Sequence, residues 1–138
     1  MGIKIEERTL GASPQAFRLL VYCEPRKEQI DAAISVNKLL AEKLVAVKPN
    51  RRTMKIERCF GEVIASLPPD ATIKDIDVMF NPSYKVDIIK ILIEANKKKT
   101  FSVIWPGKIV GESLIYSTEE LSDYHIYDIN NYDIVCVI

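Results

Sequence analysis

Few side chains in this sequence have the type and spacing to do chemistry. The turn after the first strong apolar run reads Cys-Glu-Pro-Arg-Lys-Glu-Gln, residues 23–29. A strand running into a helix is where glycine-lined backbone cradles phosphate. Here no glycine lets the backbone close on an anion, a glutamate stands where the anion needs room, and Lys27 alone does not make a nucleotide site. The glycines at 2, 11, 61, 107 and 111 form no dinucleotide fingerprint. Asp75 and Asp77 are two residues apart. On a strand they share one face and could hold a divalent ion or act as an acid and base couple, although a solvated strand edge explains them equally. The single histidine, His125, lies in a tyrosine-rich stretch and completes no Ser-His-Asp or Cys-His arrangement. Cys23, Cys59 and Cys136 are far apart and form no CxxC pair, so no zinc site is expected. No catalytic, cofactor-binding or metal-ligating residue is assigned, and no cofactor is expected.

Two other sets of residues bear on binding. Trp105 ends an apolar run just before Pro106-Gly107, which puts a large amphipathic ring at the end of a strand, either facing a partner or closing the core. Arg51, Arg52 and Lys55, with Lys97, Lys98 and Lys99, are candidate nucleic-acid contacts. No platform of two or three aromatic residues lies beside them.

The elements that position these residues can be read from periodicity. Residues 71–107 are the organising stretch: an apolar run closed by acids, a turn at Asn81-Pro82, a helical pattern, a basic stop and a second apolar run. This reads as a βαβ unit, with a strand at 71–79, a helix at 87–97 capped by Asp87, and a parallel strand at 100–105. Binding groups in open sheets gather at the carboxyl ends of strands. The expected partner-binding rim is therefore Asp75, Asp77 and Asn81 beside Trp105 and Lys108.

Upstream, residues 1–16 read as an edge strand or arm, and 17–23 as the first central strand. The apolar and polar faces of residues 25–46 segregate at helical spacing, which predicts one continuous helix; a break near Val36-Asn37 is the competing reading. Residues 48–52 read as a loop. Thr53 is placed to cap a helix whose stripe is Ile56, Phe60, Val63, Ile64 and Leu67, weakened at Gly61 by up to about 1 kcal/mol relative to alanine. Downstream, 108–117 reads as a strand or hairpin edge, 119–131 as a loop with one helical turn, and 133–138 as a last buried strand.

The chain has 138 residues, 48% of them hydrophobic and 28% charged, which suits one globular domain at 17–138 after the N-terminal arm. Nineteen basic residues balance nineteen acidic ones, so no net field draws in nucleic acid or an anionic membrane. The charge is nonetheless uneven. Residues 38–58 carry seven Lys or Arg against two Glu, and residues 109–138 carry six acids and no Lys or Arg. No apolar run approaches the roughly 20 residues that span a bilayer, and widely spaced cysteines suit a reducing compartment, so a cytoplasmic protein without membrane contact is expected.

The runs VNKLLAEKL, DIDVMFNPSYKVDIIKILIEANKKKTFSVIWPG and LIYSTEELSDYHIYDINNYDIVCVI, within residues 36–138, resemble the small F-type component of bacteriophage-exclusion (BREX) defence systems. The most specific part is the spacing from Phe80-Asn81-Pro82 through Asp87 to Trp105-Pro106-Gly107. The resemblance implies a P-loop-like α/β fold, a mainly parallel sheet with helices on both faces, in a prokaryotic antiphage complex. It also implies a second strand at Val36-Asn37, against the continuous helix. Only fifteen residues separate Val21 from Val36, too few for a Walker loop with a full helix, and the family's magnesium-binding acid falls at Lys74. A non-catalytic, pseudo-ATPase-like subunit that binds protein partners is the expectation. An ATPase with an unconventional phosphate site, built from Lys27 with Asp75 or Asp77, and a nucleic-acid-binding accessory protein are the alternatives. A homo-oligomer is compatible with each.

Overall fold

In the computed structural model, which describes residues 2–6 and 18–138, the first central strand is β2 (Leu19–Tyr22). Leu19 and Val21 are buried while Leu20 and Tyr22 are half-buried, the alternation of a strand with unequally covered faces. Phe17 and the expected arm from residue 7 onward lie outside the described residues. β2 sits mid-sheet, flanked by β5 (Phe101–Ile104) and β9 (Ile134–Val137). With β4 (Ala71–Lys74) and β3 (Ile34–Ser35) beyond β5, and β1 (Ile3–Ile5) beyond β9, the order is β1-β9-β2-β5-β4-β3, every pair parallel. The protein is thus α/β, with a parallel six-stranded sheet.

Register lines up Ile73, Val103, Val21 and Cys136 on one face and leaves Tyr22, Thr72 and Lys74 on the other. The chain steps from β2 out to β3 and then returns through β4 to β5. Right-handed crossovers therefore place the first helix on the opposite face from those that follow. The first helix, α1 (Lys27–Ala32), lies on the Tyr22 face, where Lys74 Nζ donates to Ile30 O at 2.8 Å. On the other face α3 (Arg52–Ala65) sets Phe60 edge-on to Phe101 of β5, centroids 5.8 Å apart. No helix among the described residues is long and apolar enough to cross a membrane.

The continuous helix expected over 25–46 does not form. α1 ends at Ala32, the chain makes the two-residue strand β3, and α2 (Asn37–Val45) begins after Val36. Tertiary pairing outweighs helical periodicity here. Ile34 and Ser35 pair with Ile73 and Lys74, Val36 is fully buried, and its N–H donates to Lys74 O at 3.1 Å. Asn37, the polar residue on the apolar stripe, accepts from Val78 N–H at 2.9 Å.

α3 buries Ile56, Phe60, Val63 and Ile64 as expected, with Leu67 half-buried beyond its end, but Thr53 does not cap it. The cap is Arg51, and the Thr53 hydroxyl donates to Ser83 O at 3.2 Å, tying the helix start to the turn before α4 (Ile88–Lys98). Asp87 caps α4 as expected, accepting from Lys90 N–H at 3.1 Å. Ile88, Ile89, Ile91 and Leu92 are buried beneath it, each worth roughly 1.5–3 kcal/mol. Buried Asn96 closes the turn into β5 by accepting from Phe101 N–H at 3.0 Å.

β4 and β5 are parallel neighbours, as the βαβ reading requires, but β4 stops at Lys74 rather than running to 79. Asp75 takes φ +57°, and a 3-10 turn follows at Asp77–Phe80. Beyond β5 the hairpin β6 (Lys108–Val110) and β7 (Ser113–Tyr116) forms as expected. Residues 125–128, expected in a loop, add a third antiparallel strand, β8 (His125–Asp128), before a 3-10 turn at Ile129–Asn131.

Candidate functional site

The rim expected to carry function is assembled by two abrupt strand ends. After β4 the 3-10 turn swings Phe80 inward, and after β5 the chain delivers Trp105 beside it, ring centroids 5.7 Å apart and edge to face. Tyr116 of β7 stacks on Phe80 at 3.8 Å and 11°, and His125 of β8 meets Phe80 edge-on at 5.0 Å. Tyr127 continues the array between Trp105 (6.2 Å) and Tyr132 (5.8 Å). Gly107 permits this closure. A methyl there would lie 1.9 Å from Ile115 O, the atom that accepts the Trp105 Nε1 hydrogen at 3.0 Å. The small antiparallel sheet is thereby packed over the carboxyl ends of β4 and β5, where an open α/β sheet offers a ligand crevice.

Three hydroxyls pin that sheet down. Tyr116 donates to Asp77 at 3.0 Å, Tyr132 donates to Asp87 at 2.7 Å, and the Tyr127 hydroxyl accepts from Ile88 N–H at 3.2 Å. Burial, and then the Asp77 carboxylate, push the Tyr116 hydroxyl up to about 12; burial pushes Tyr127 up to about 12 as well. Burial and Asp87 also raise Tyr132. These phenols hold their protons as structural ties.

Of the five expected rim residues, Trp105 is 3% exposed and belongs to the core. Asp77 is occupied by Tyr116, and Asn81 accepts from Ser83 N–H at 2.9 Å in a turn of its own. Asp75 and Lys108 are exposed, Lys108 on the outer face of β6. Because β4 ends before them, Asp75 and Asp77 do not share a strand face. Among the described residues no group of three or more His, Cys, Asp and Glu side chains comes together to hold a metal ion. His125 Nδ1 donates to Asp123 O at 2.8 Å, which orients the ring within the array.

The loop between β2 and α1 is the place to look for phosphate. Four backbone donors in the loop and the first turn of α1 are committed: Cys23 N–H to Val137 O at 2.9 Å, Arg26 N–H to the Gln29 side chain at 2.8 Å, and Gln29 N–H and Ile30 N–H to Arg26 O at 3.0 and 3.1 Å. Pro25 has none. Lys27 reaches Asp31, 3.2 Å away, and α1 has six residues with none buried. The hollow beside it, about 300 Å³, is lined by Tyr22, Glu28, Gln29, Ala32 and Thr72, with an acid and no base. The three cysteines are free and buried. A hydrogen bond with the Cys136 thiol, together with burial, holds Cys23 well above the ordinary thiol range, and burial raises Cys59.

The two basic sets do not form one surface. α3 and α4 run parallel: Thr53 at the start of α3 touches Ser83 just before α4, and Lys99 past the end of α4 donates to Ala65 O at 3.0 Å. Arg51, Arg52 and Lys55 therefore lie at one end of the helix layer and Lys97, Lys98 and Lys99 at the other, about 16 Å away along an 11-residue helix. Lys97 bonds Glu94 and Arg52 bonds Val47 O.

Between these two helices lies a groove of about 560 Å³ over Gly61, Ala65 and Ala95, edged by Glu57 and Lys98. A second hollow of about 300 Å³, lined by Met54, Glu57, Lys90 and Ile91 among others, continues it toward the helix starts. Sequence reading missed both features that dominate the surface and the rim. The signals were Gly61 at mid-helix and the alternation of His125 and Tyr127 in a stretch that looked like loop. Comparison with protein families, with curated proteins and with solved structures finds no match.

Proposed function

We propose that the protein is a non-catalytic subunit with a P-loop-like sheet that has lost its phosphate site and works by binding protein partners. The observation that carries this reading is the β2–α1 connection. In a nucleotide-binding sheet this turn would present backbone N–H groups to phosphate at a helix start. Here Cys23, Arg26, Gln29 and Ile30 donate within the protein, Pro25 has no donor, and Lys27 faces Asp31. Two further features support it. The strand preceding the first helix lies mid-sheet, as a P-loop-like arrangement requires, and the neighbouring rim is filled by Phe80, Trp105 and Tyr127. The resemblance of residues 36–138 to the F-type component of bacteriophage-exclusion systems makes a prokaryotic antiphage complex the setting in which such a subunit would act. At the rim, a partner can reach Asp75, Asn81 and Lys108, which are exposed.

The competing ATPase reading needs Lys27 with Asp75 or Asp77; against it, Lys27 pairs with Asp31 and Asp77 accepts from Tyr116. The nucleic-acid reading needs one basic surface, and the two sets stand at opposite ends of α4. Calorimetric titration with Mg·ATP tests the proposal: no saturable heat is expected up to millimolar nucleotide, whereas micromolar magnesium-dependent binding would remove it. If nucleotide is refused, affinity for nucleic acid that falls steeply with salt would move the choice to the accessory-protein reading.

A further inference from the structure

Gly61 stands in the middle of the 14-residue helix α3, where glycine is among the poorest helix formers, and among the described residues nothing beyond its chain neighbours and the helix's own backbone lies within 4 Å of where its Cβ would be. No close neighbour among the described residues therefore accounts for a glycine at this position. Met54, Glu57, Gly61 and Ala65 follow one another at steps of three and four, so they form a single face along α3. That face borders the groove shared with α4. Small residues, Gly61, Ala65 and Ala95, line it together with buried Ile64, and at Gly61 and Ala65 they allow a second backbone to come close. Met54, at one end, is 78% exposed. Glu57 and Lys98, at its edges, have no ion-pair partner among the described residues.

We propose that this groove is the surface through which two copies of the chain associate, about a two-fold axis passing near Gly61. A two-fold interface must be self-complementary, and the order of residues on α3 meets that condition. Antiparallel packing about Gly61 sets each residue against the one equally far on the other side, so Ala65 faces Glu57 of the second copy. Ala65 lies beside Lys98 and Lys99, the latter bonded to its carbonyl. Glu57 of each copy therefore meets the basic end of α4 in the other, twice by symmetry. Met54 falls against the turn at Leu67-Pro68, where Leu67 is half-buried. The glycine lies at the crossing, where the helices approach most closely. This inference is independent of the nucleotide question, because a dimer can form whether or not the β2–α1 turn binds phosphate.

Sedimentation of the purified chain between about 1 and 100 µM tests it. The wild type is expected to dimerise in that range. Gly61→Gln, a better helix former placed in open space, keeps the fold, checked by circular dichroism and an unreduced melting temperature, and weakens association by about a hundredfold. Glu57→Lys weakens it by about tenfold, and Glu57→Lys combined with Lys98→Glu restores it, the signature of a direct pair. A wild type that stays monomeric at the upper concentration overturns the proposal, even if an unlike protein occupies the groove. So does a folded Gly61→Gln variant that dimerises as well as the wild type, or a charge reversal without rescue.

Discussion

Replacing Phe80 by alanine asks whether the rim is part of the core or a contact surface. Phe80 is 1% exposed, and its ring meets three others: Tyr116 stacked at 3.8 Å, His125 at 5.0 Å and Trp105 at 5.7 Å. Removing a buried phenylalanine costs about 3–5 kcal/mol in transfer and cavity terms. Each aromatic pair adds about 0.5–1.5 kcal/mol beyond buried area, so with three partners the upper part of that range is expected. A domain of this size has roughly 5–15 kcal/mol of stability, so the variant keeps a native state in the absence of denaturant unless the wild type lies near the bottom of that span. With a urea m-value of about 2 kcal/mol/M, the midpoint falls by about 2 M. Trp105 is the only tryptophan and touches Phe80, so its fluorescence reports the transition locally while far-ultraviolet circular dichroism reports it globally. The two should move together. Phe80→Leu, which keeps most of the volume, should lose less than half as much. A loss below about 0.5 kcal/mol for Phe80→Ala, the scale of ordinary surface changes, would refute the argument and return the rim to a solvent-facing role.

Two further substitutions test separate parts of the account. Asp75→Val should destabilise by about 1–2 kcal/mol, because a β-branched residue at φ +57° is strained, whereas Asp75→Gly should be close to neutral; thermal melts distinguish this from a strand continuing through 75, which valine would strengthen. Tyr127 holds its proton up to about 12 in the folded state against about 10 when unfolded. Its contribution is therefore complete below pH 10 and is lost as pH rises toward 12, by up to about 2 kcal/mol. Tyr127→Phe should cost about 1 kcal/mol at pH 7 through the lost acceptor for Ile88 N–H, and should then lose less stability than the wild type between pH 9 and about 11.5. Equal losses in urea melts across that range would count against the tyrosine's role.

What could be read from the sequence follows from how far each signal reaches along the chain. α4 was legible because its cap at Asp87 and its stripe of isoleucines are local, and β9 because a fully apolar run of four has few alternatives. The parallel pairing of β4 with β5 followed from their length and the helix between them. β3 was not legible. Two residues carry no periodicity, and only pairing with Ile73 and Lys74 makes them a strand, while Ile34 also fits a helical stripe. Asn37 looked like a flaw in that stripe because its partner, Val78 N–H, is 41 residues away. Phe80 and Trp105 meet where β4 and β5 end, but which way the two rings faced depended on Asp75 breaking β4 and on Gly107 letting the hairpin fold back. β8 was hidden for a similar reason: its half-exposed polar residues become a strand only against β7.

The central claim, that no phosphate is held between β2 and α1, is tested most directly by following backbone amide resonances of residues 24–29 during titration with Mg·ATP. The account predicts that these amides keep their shifts at millimolar nucleotide. Saturable, magnesium-dependent shifts concentrated at Glu24, Lys27 and Glu28 would contradict it.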